Sequence, residues 1–386
     1  MITAIGEVVK KYIKNMILTS DVNFPVWNSE NKVFVKSSKW NYIDACIIKA
    51  LSDYYEINKD NEILEYIKYF SDSYIDNDYK IKTLNPAEYN CDNFNGGKNL
   101  LFLYKTTADE KYIKAAEYLI SLIKQQPRIK AGNFWHKAIY PYQIWLDGVY
   151  MTFPFMAEYG NIKGDNTFNS DIMKQLLNIR KIMRDSDVGL YYHGYDESRA
   201  SIWCNDKTGL SSNFWLRSNC WLCVALVDLC EITNDKEMYD LCSDMFIELL
   251  KALSGCQQSN GMLKQLPICD HEKNYDETSG TALYAYSAIK ASNVNVTDNY
   301  IQNGVNAINA ITELYVSDTE KDIPTLKNIC LVAGLGGESK RDGSVEYYLS
   351  EPITENDAKG IAPYIMAYCE LKKSKVYNPD KSKIGV

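Results

Sequence analysis

The sequence is short of several things, and each shortage closes off a class of protein. Arginine is scarce: only six of the 42 basic side chains are Arg, and acidic residues outnumber basic ones 50 to 42. A net charge of −8 and a pI near 5.2 leave no basic footprint for a nucleic-acid backbone. An acidic protein still binds an anionic sugar where a few cations are placed locally. Histidine is scarcer, three in 386 residues, and no His–Cys grouping accompanies the lone C-x-x-C of Cys220 and Cys223. A zinc site needs several such ligands converging, so no metal is expected. No apolar run reaches the ~20 residues of a membrane span. No Gly/Ser/Pro-rich linker divides the chain, so one domain is expected over residues 1–375, with a polar tail at 376–386. The 11 Cys are odd in number and scattered through apolar helical contexts such as Cys46, Cys223, Cys230 and Cys369. That pattern reads as free, buried thiols in a reducing compartment, not as a disulfide framework.

What is abundant is helical periodicity. At the start, Ile5, Val8, Val9, Tyr12, Ile13, Met16 and Ile17 recur at helical spacing with Lys10, Lys11 and Lys14 between them. This reads as an amphipathic helix and not as a signal peptide, and the expected location is cytoplasmic. Helices are expected near 2–18, 39–55, 60–75, 93–105, 109–125, 142–159, 168–184, 214–232, 236–254, 277–292, 297–316 and 358–373. Strand signals are short, around Val33–Val35, Gly189–His193 and Glu346–Leu349. Every second helix opens on an aromatic- or Gly-rich segment: Trp40 and Tyr42, Asp92 to Lys98, Trp135 to Asp147, Trp215 to Trp221, Glu277 to Thr281, and Tyr347 to Lys359. No repeat recurs at a fixed period, which argues against a solenoid. The alternation suits an all-α toroid of six helical hairpins, its inner helices all starting at one rim. Six helix N-termini around one cavity favour anionic groups.

The rare residues gather in those segments. Arg217 lies in NFWLRSN, His136 in FWHK, His193 in HGYDESR, and six of the seven Trp lie in such stretches. Lys does not replace Arg where a planar fork is needed, and Trp faces stack on sugar rings. Arg199 and Arg341 also read as partners of Asp196, Glu197 or Asp342. The 30 Tyr fit a ring-binding surface and equally a biased genome. In the stretch Gly132 to Gly160, Pro141 fits a first helical turn, Asp147 follows within about two turns, and Pro154 should bend the helix. Asp147 then faces a cavity near free backbone N–H groups, as a functional acid or as a helix cap with a partner.

The blocks DNFNGGK (Asp92–Lys98), FWHKAIYPYQIWLDGVYM (Phe134–Met151), GLYYHGYDESR (Gly189–Arg199), FWLRSNCWLCVALVD (Phe214–Asp228), ETSGTALYAY (Glu277–Tyr286) and the run from Val332 to Gly360 occur in one order. Together they resemble the unsaturated rhamnogalacturonyl hydrolases, glycoside hydrolase family 105. The resemblance implies an (α/α)6 toroid and no cofactor. It implies a substrate left by a polysaccharide lyase, a short oligosaccharide with a 4,5-unsaturated uronic acid at its non-reducing end. The C4–C5 double bond is hydrated, and the resulting hemiketal opens and sheds the neighbouring sugar, usually rhamnose. Asp147 matches the acid/base and Asp92 the second carboxylate. Trp145 and Trp221 match an apolar wall, which with Asp92 would hold Asp147 protonated. Arg217 and His193 match uronate and water contacts, and Tyr42, His136 and Lys137 match lining positions. Such chemistry needs one acid/base beside a vinyl ether, not two carboxylates around a glycosidic oxygen. Two other readings stand beside it. One is an unsaturated glucuronyl hydrolase of family 88 acting on glycosaminoglycan fragments. The other is a non-catalytic sugar-binding toroid, which would have no need of an acid.

Overall fold

Asparagine and aspartate side chains start many of the helices. Asn41, Asp60, Asp109, Asp235 and Asp357 each accept a backbone N–H from the turn that follows. Each satisfies a donor that the helix itself leaves unpaired. The computed structural model describes residues 2–34, 38–337 and 341–376. Its helices are α1 (Ile2–Lys11, continued in wider π-type turns over Tyr12–Ile17), α2 (Ser29–Phe34), α3 (Tyr42–Asn58), α4 (Asn61–Tyr74), α5 (Gly97–Thr107), α6 (Glu110–Ile123) and α7 (Asp147–Lys163). They continue as α8 (Thr167–Met183), α9 (Leu216–Ile232), α10 (Lys236–Gly255), α11 (Thr278–Asn293), α12 (Ile301–Tyr315), α13 (Val345–Ser350) and α14 (Ala358–Lys373).

Helices α3, α5, α7, α9, α11 and α14 each pack on the next, and α14 returns to α3, closing a ring. Outside it, α4, α6, α8, α10 and α12 each pack on the preceding ring helix, and α1 packs on α14. This is the expected (α/α)6 toroid. Sequence accounts for which helix goes where. Ring helices have neighbours on more sides than outer ones: α9 buries every residue from Leu216 to Cys230, and α11 every residue from Thr278 to Ser292, most of them apolar or small. An outer helix buries one stripe, as α4 does with Ile63, Tyr66, Ile67, Phe70 and Tyr74. Cys46, Cys220, Cys223, Cys230 and Cys369 serve as small buried side chains on the ring helices, all as free thiols. Two of the hairpins turn tightly: Lys59 and Ala108 end their helices in left-handed conformation, and the next residue caps the following helix. No helix among the described residues is long and apolar enough to cross a membrane.

Three short antiparallel pairs decorate the loops. They join β1 (Gln143–Trp145) to β2 (Gly194–Asp196), β3 (Val316–Ser317) to β4 (Thr325–Leu326), and β5 (Ile329–Cys330) to β6 (Ile353–Thr354). The strand expectations need correction. Val33 lies in α2, and Val35 falls outside the described residues. Residues Gly189–His193 contribute one isolated bridge, Tyr191 to Arg184, and the strand begins at Gly194. Glu346–Leu349 is helical, because Ser344 caps α13 by accepting from Tyr347 N. The helix expected from 142 begins at Asp147, because Gln143 to Trp145 are paired with β2. Pro141 therefore precedes a strand, not a helix. The tail from 377 onward lies outside the described residues.

The double glycine of DNFNGGK explains part of this packing. A Cβ on Gly96 would lie 2.2 Å from Cζ2 of Trp40. That indole is pinned by its hydrogen bond to Asn93 O at 2.7 Å. Gly96→Ala is expected to destabilise the fold by about 1–3 kcal/mol through overpacking, read as a lower urea midpoint.

Candidate active site

The β1–β2 pair builds the centre of the site. It sets Trp145 opposite Gly194, and Leu146 N donates to His193 O at 3.2 Å. Asp147, the first residue of α7, is thereby brought beside His193. A Cβ at Gly194 would lie 2.5 Å from a terminal methyl of Leu335, so a larger residue here would have to displace that side chain. Asp147 Oδ2 and His193 Nε2 are 3.3 Å apart, and His193 is fully buried. The two atoms are not aligned as a hydrogen bond, and neither has another partner among the described residues. His193 Nδ1 meets the Tyr348 hydroxyl at 2.6 Å, which fixes the ring's orientation.

Burial pushes the Asp147 carboxyl up, but contact with His193 and the nearby charges outweigh it, and the group sits below the ordinary carboxylate range. The expectation that Asp92 and a Trp wall keep Asp147 protonated is therefore corrected for the free enzyme. Asp92 does not act as a like charge free to repel it. Asp92 lies on a short 3-10 turn, Cys91–Phe94, which Cys91 N ties to His136 O at 2.9 Å. Its Oδ2 is 2.6 Å from Lys137 Nζ, and its Oδ1 is 3.7 Å from His136 Nε2. Burial opposes the Lys137 charge, but Asp92 more than offsets it and the ammonium is held charged. Burial takes His136 down to about 4, so its ring is neutral at working pH. Its plane stacks on Trp145 at 4.6 Å, and Trp145 also stacks on Tyr140 at 4.6 Å.

Arg217 follows the first residue of α9 and is almost wholly buried. Its Nη1 donates to Ser279 Oγ at 3.0 Å and to Cys330 O at 2.6 Å, and its guanidinium lies 4.7 Å from the Trp215 ring. No salt bridge to Arg217 occurs among the described residues. The nearby Glu277 is occupied elsewhere: it caps α11 and accepts from Ser279 and from Cys330 N. Tyr42, the first residue of α3, shares the same mouth. Burial raises its phenol, and the charges that act on it include Arg217, Asp92 and Asp147.

Trp221 is placed differently from Trp145. It lies one turn beyond Arg217, fully buried, and stacks on Tyr150 at 4.6 Å. Tyr150 lies one turn beyond Asp147, so this pair closes the toroid below the site as a floor. Arg341 donates to Tyr140 Oη at 2.9 Å and to Gly336 O, bracing the aromatic stack instead of pairing with a carboxylate. Arg199 stands exposed on a left-handed turn. Sequence reasoning missed Tyr348, Ser279 and the buried Lys359, which bridges Glu30 and Asp357 at 3.0 Å each. Nothing local separates Tyr348 from its neighbour Tyr347; only the fold points it at His193.

A cavity of about 240 Å³ lies beside this centre, lined by Glu30, Tyr42, Glu88, Asp92 and Lys137 among others. A larger one, about 670 Å³, opens at the opposite end, where the ring helices finish. Most of its charges are spent on one another: Lys290 holds Asp228 and Glu231, Lys49 holds Asp53, and Lys373 holds Glu370, while Lys98 lines it without an ion pair among the described residues. Among the described residues, Asp147, without a Lys or Arg partner, and Arg217, without a carboxylate partner, both lie at the end where the helices begin.

A family model described as Glycosyl Hydrolase Family 88 matches residues 12–375. An unsaturated rhamnogalacturonyl hydrolase of Bacillus subtilis (strain 168) is 24% identical over 286 residues, 72% of this chain and 77% of its own length. A solved family 105 glycoside hydrolase of C. acetobutylicum superposes with a TM-score of 0.85 at 33% identity, covering 96% of this chain and 99% of its own. The unsaturated glucuronyl hydrolase of Bacillus sp. GL1 shares the fold, with a TM-score of 0.69 at 13% identity over 96% of this chain and 97% of its own.

Proposed function

The chain belongs to the glycoside hydrolases of families 88 and 105, and from that premise we propose that it hydrates the C4–C5 double bond of a 4,5-unsaturated uronic acid at the non-reducing end of pectic disaccharides, releasing rhamnose or a similar sugar. One observation carries the reading. Among the described residues Asp147 meets His193 with no Lys or Arg side chain bound to it, while Asp92 is tied to Lys137 at 2.6 Å. That supports one acid/base, not a pair of carboxylates working across a glycosidic oxygen.

In this mechanism Asp147 gives its proton to C4, and positive charge develops at C5 beside the ring oxygen. Water adds at C5 and returns a proton to the Asp147 carboxylate. The hemiketal then opens and expels the neighbouring sugar. Arg217 faces the uronate carboxylate and His193 orients the water. Trp145, stacked on His136 and Tyr140, backs the site as a buried aromatic wall.

Asp147 has to be protonated when substrate is bound, although it is held low in the free enzyme. A bound uronate brings a second negative charge and excludes water, and both favour the acid form. The apparent acid pKa in the kcat profile is therefore expected to exceed that in the kcat/KM profile. Parallel profiles with a common pKa would remove this account of protonation.

Loss of the ultraviolet band of the unsaturated uronate, followed on lyase-generated disaccharides, tests the reaction directly. A second reading, an unsaturated glucuronyl hydrolase, draws on the family 88 match. Specificity constants on pectic and glycosaminoglycan disaccharides side by side decide between them. The eleven free Cys support a reducing, cytoplasmic location.

A further inference from the structure

Proline 154 sits inside α7, at the eighth of its 17 positions. It has no N–H, so the carbonyl of Tyr150, four residues earlier, loses its helical donor. That carbonyl is not left bare: Lys98 Nζ, from the first turn of α5, donates to it at 3.2 Å. The same ammonium lies 3.2 Å from the centre of the Tyr150 ring. Lys98 is 5% exposed, and no carboxylate lies within ion-pair distance of it among the described residues. Lys98 lines the cavity of about 670 Å³ and feels the charge of Asp228 from beyond ion-pair distance, but its hydrogen-bond acceptor among the described residues is a helix carbonyl. The approach is made possible by Gly97, where a Cβ would lie 2.6 Å from the ring of Phe155. The GGK of DNFNGGK therefore has two tasks that its motif alone does not reveal: two glycines for close packing, and a lysine for a broken helix.

We infer that Lys98 is a positioning residue for Asp147, acting through the Tyr150 carbonyl that Pro154 frees; as a statement about catalysis this rests on the function proposed above. The connection is short. Tyr150 is one turn from Asp147 on α7, and its ring stacks on Trp221, one turn from Arg217 on α9. Lys98 thus holds the place where the two helices that carry the acid and the guanidinium meet. Burial brings its pKa down to about 7, so it is a donor in either protonation state.

The test is a pair of substitutions and their combination: Lys98→Met, Pro154→Ala and both together. Lys98→Met removes the donor and keeps much of the stem's packing. Pro154→Ala returns an N–H to the Tyr150 carbonyl and makes the lysine dispensable. Lys98→Met is expected to lower kcat roughly 10- to 100-fold with KM changed less than about threefold, the pattern of a misplaced catalytic group. Pro154→Ala alone should stay close to the unmodified protein, and the double variant should recover most of the lost kcat. A kcat for Lys98→Met within about twofold of the unmodified protein overturns the inference, as does a double variant no better than Lys98→Met. If Lys98→Met does not fold, the double variant must fold and turn over, and its failure to do so overturns the inference too.

A readout free of turnover separates this idea from the proposed function. The Asp147 carboxyl, followed by carbon NMR and assigned with Asp147→Asn, should titrate higher in Lys98→Met, because its contact with His193 loosens. It should return toward its starting value in the double variant. An unchanged Asp147 titration overturns the positioning role. If the unmodified protein leaves every disaccharide untouched, the proposed function fails, and the carboxyl titration still decides the role of Lys98.

Discussion

Asp147→Asn is expected to fold, to bind the unsaturated disaccharide and to turn it over at least ~100-fold more slowly, the usual scale for losing a general acid/base. The amide keeps the size of the carboxyl, so the β1–β2 pairing and the start of α7 should be undisturbed. It cannot give a proton to C4. Isotope labelling separates the two chemistries that would show such a loss. In heavy water the product of the unmodified protein should carry one solvent deuteron at C4, placed on a single face, because Asp147 is fixed on one side of the sugar by its position at the first residue of α7. Ordinary hydrolysis of the glycosidic bond would leave the double bond and C4 untouched. A released uronate that keeps its ultraviolet band and has no deuterium at C4 would sink the hydration mechanism. Asp147 would then be an acid acting on the glycosidic oxygen.

Arg217→Lys keeps a positive charge and is still expected to weaken transition-state binding by about 1–3 kcal/mol, the scale of a charge-assisted hydrogen bond. Nη1 already serves Ser279 and Cys330 O, and among the described residues no hydrogen bond engages the other guanidinium nitrogens, which on the proposed function would grip the uronate. A lysine has one nitrogen. It either keeps the Ser279 and Cys330 contacts or reaches the substrate, and a planar two-point grip is lost in both cases. The specificity constant should fall roughly 10- to 100-fold, in line with that energy. An unchanged constant would make Arg217 a structural tie between α9, Ser279 and β5.

Most of the ring could be read from spacing. Apart from Arg217, Asn219, Asp228 and Lys290, the buried residues of α9 and α11 are apolar, aromatic or small, while those of α4 fall in one stripe, and these patterns rank the helices as inner and outer. The rare residues were equally legible. Arg217, His136, His193 and Trp145 stand out in a chain that otherwise uses Lys and scatters few His, and they lie in the mouth where α3, α7 and α9 begin.

Pairing was not legible. Asp92 looked like a like-charged neighbour that would keep Asp147 protonated, but the loop after α6 brings Lys137 to it. Trp221 looked like a wall beside Trp145, yet it follows Arg217 by one turn and stacks on Tyr150 as a floor. Tyr348 reaches His193 across 155 positions of sequence. The start of α7 shifted from Pro141 to Asp147 because β2, some fifty residues later, takes Gln143 to Trp145 into a strand pair.

The sequence by itself determined most of the helices, their inner or outer station and many of the candidate side chains of the site. Helix period and residue rarity are local properties, recorded within one or two turns of chain. The tertiary structure alone decided which charge neutralises which, where a helix starts when a distant strand competes for its first residues, and which carbonyl a proline leaves for a lysine to satisfy. Those outcomes depend on loops brought together by closing the ring, and the strength of a buried charge depends on every partner around it at once.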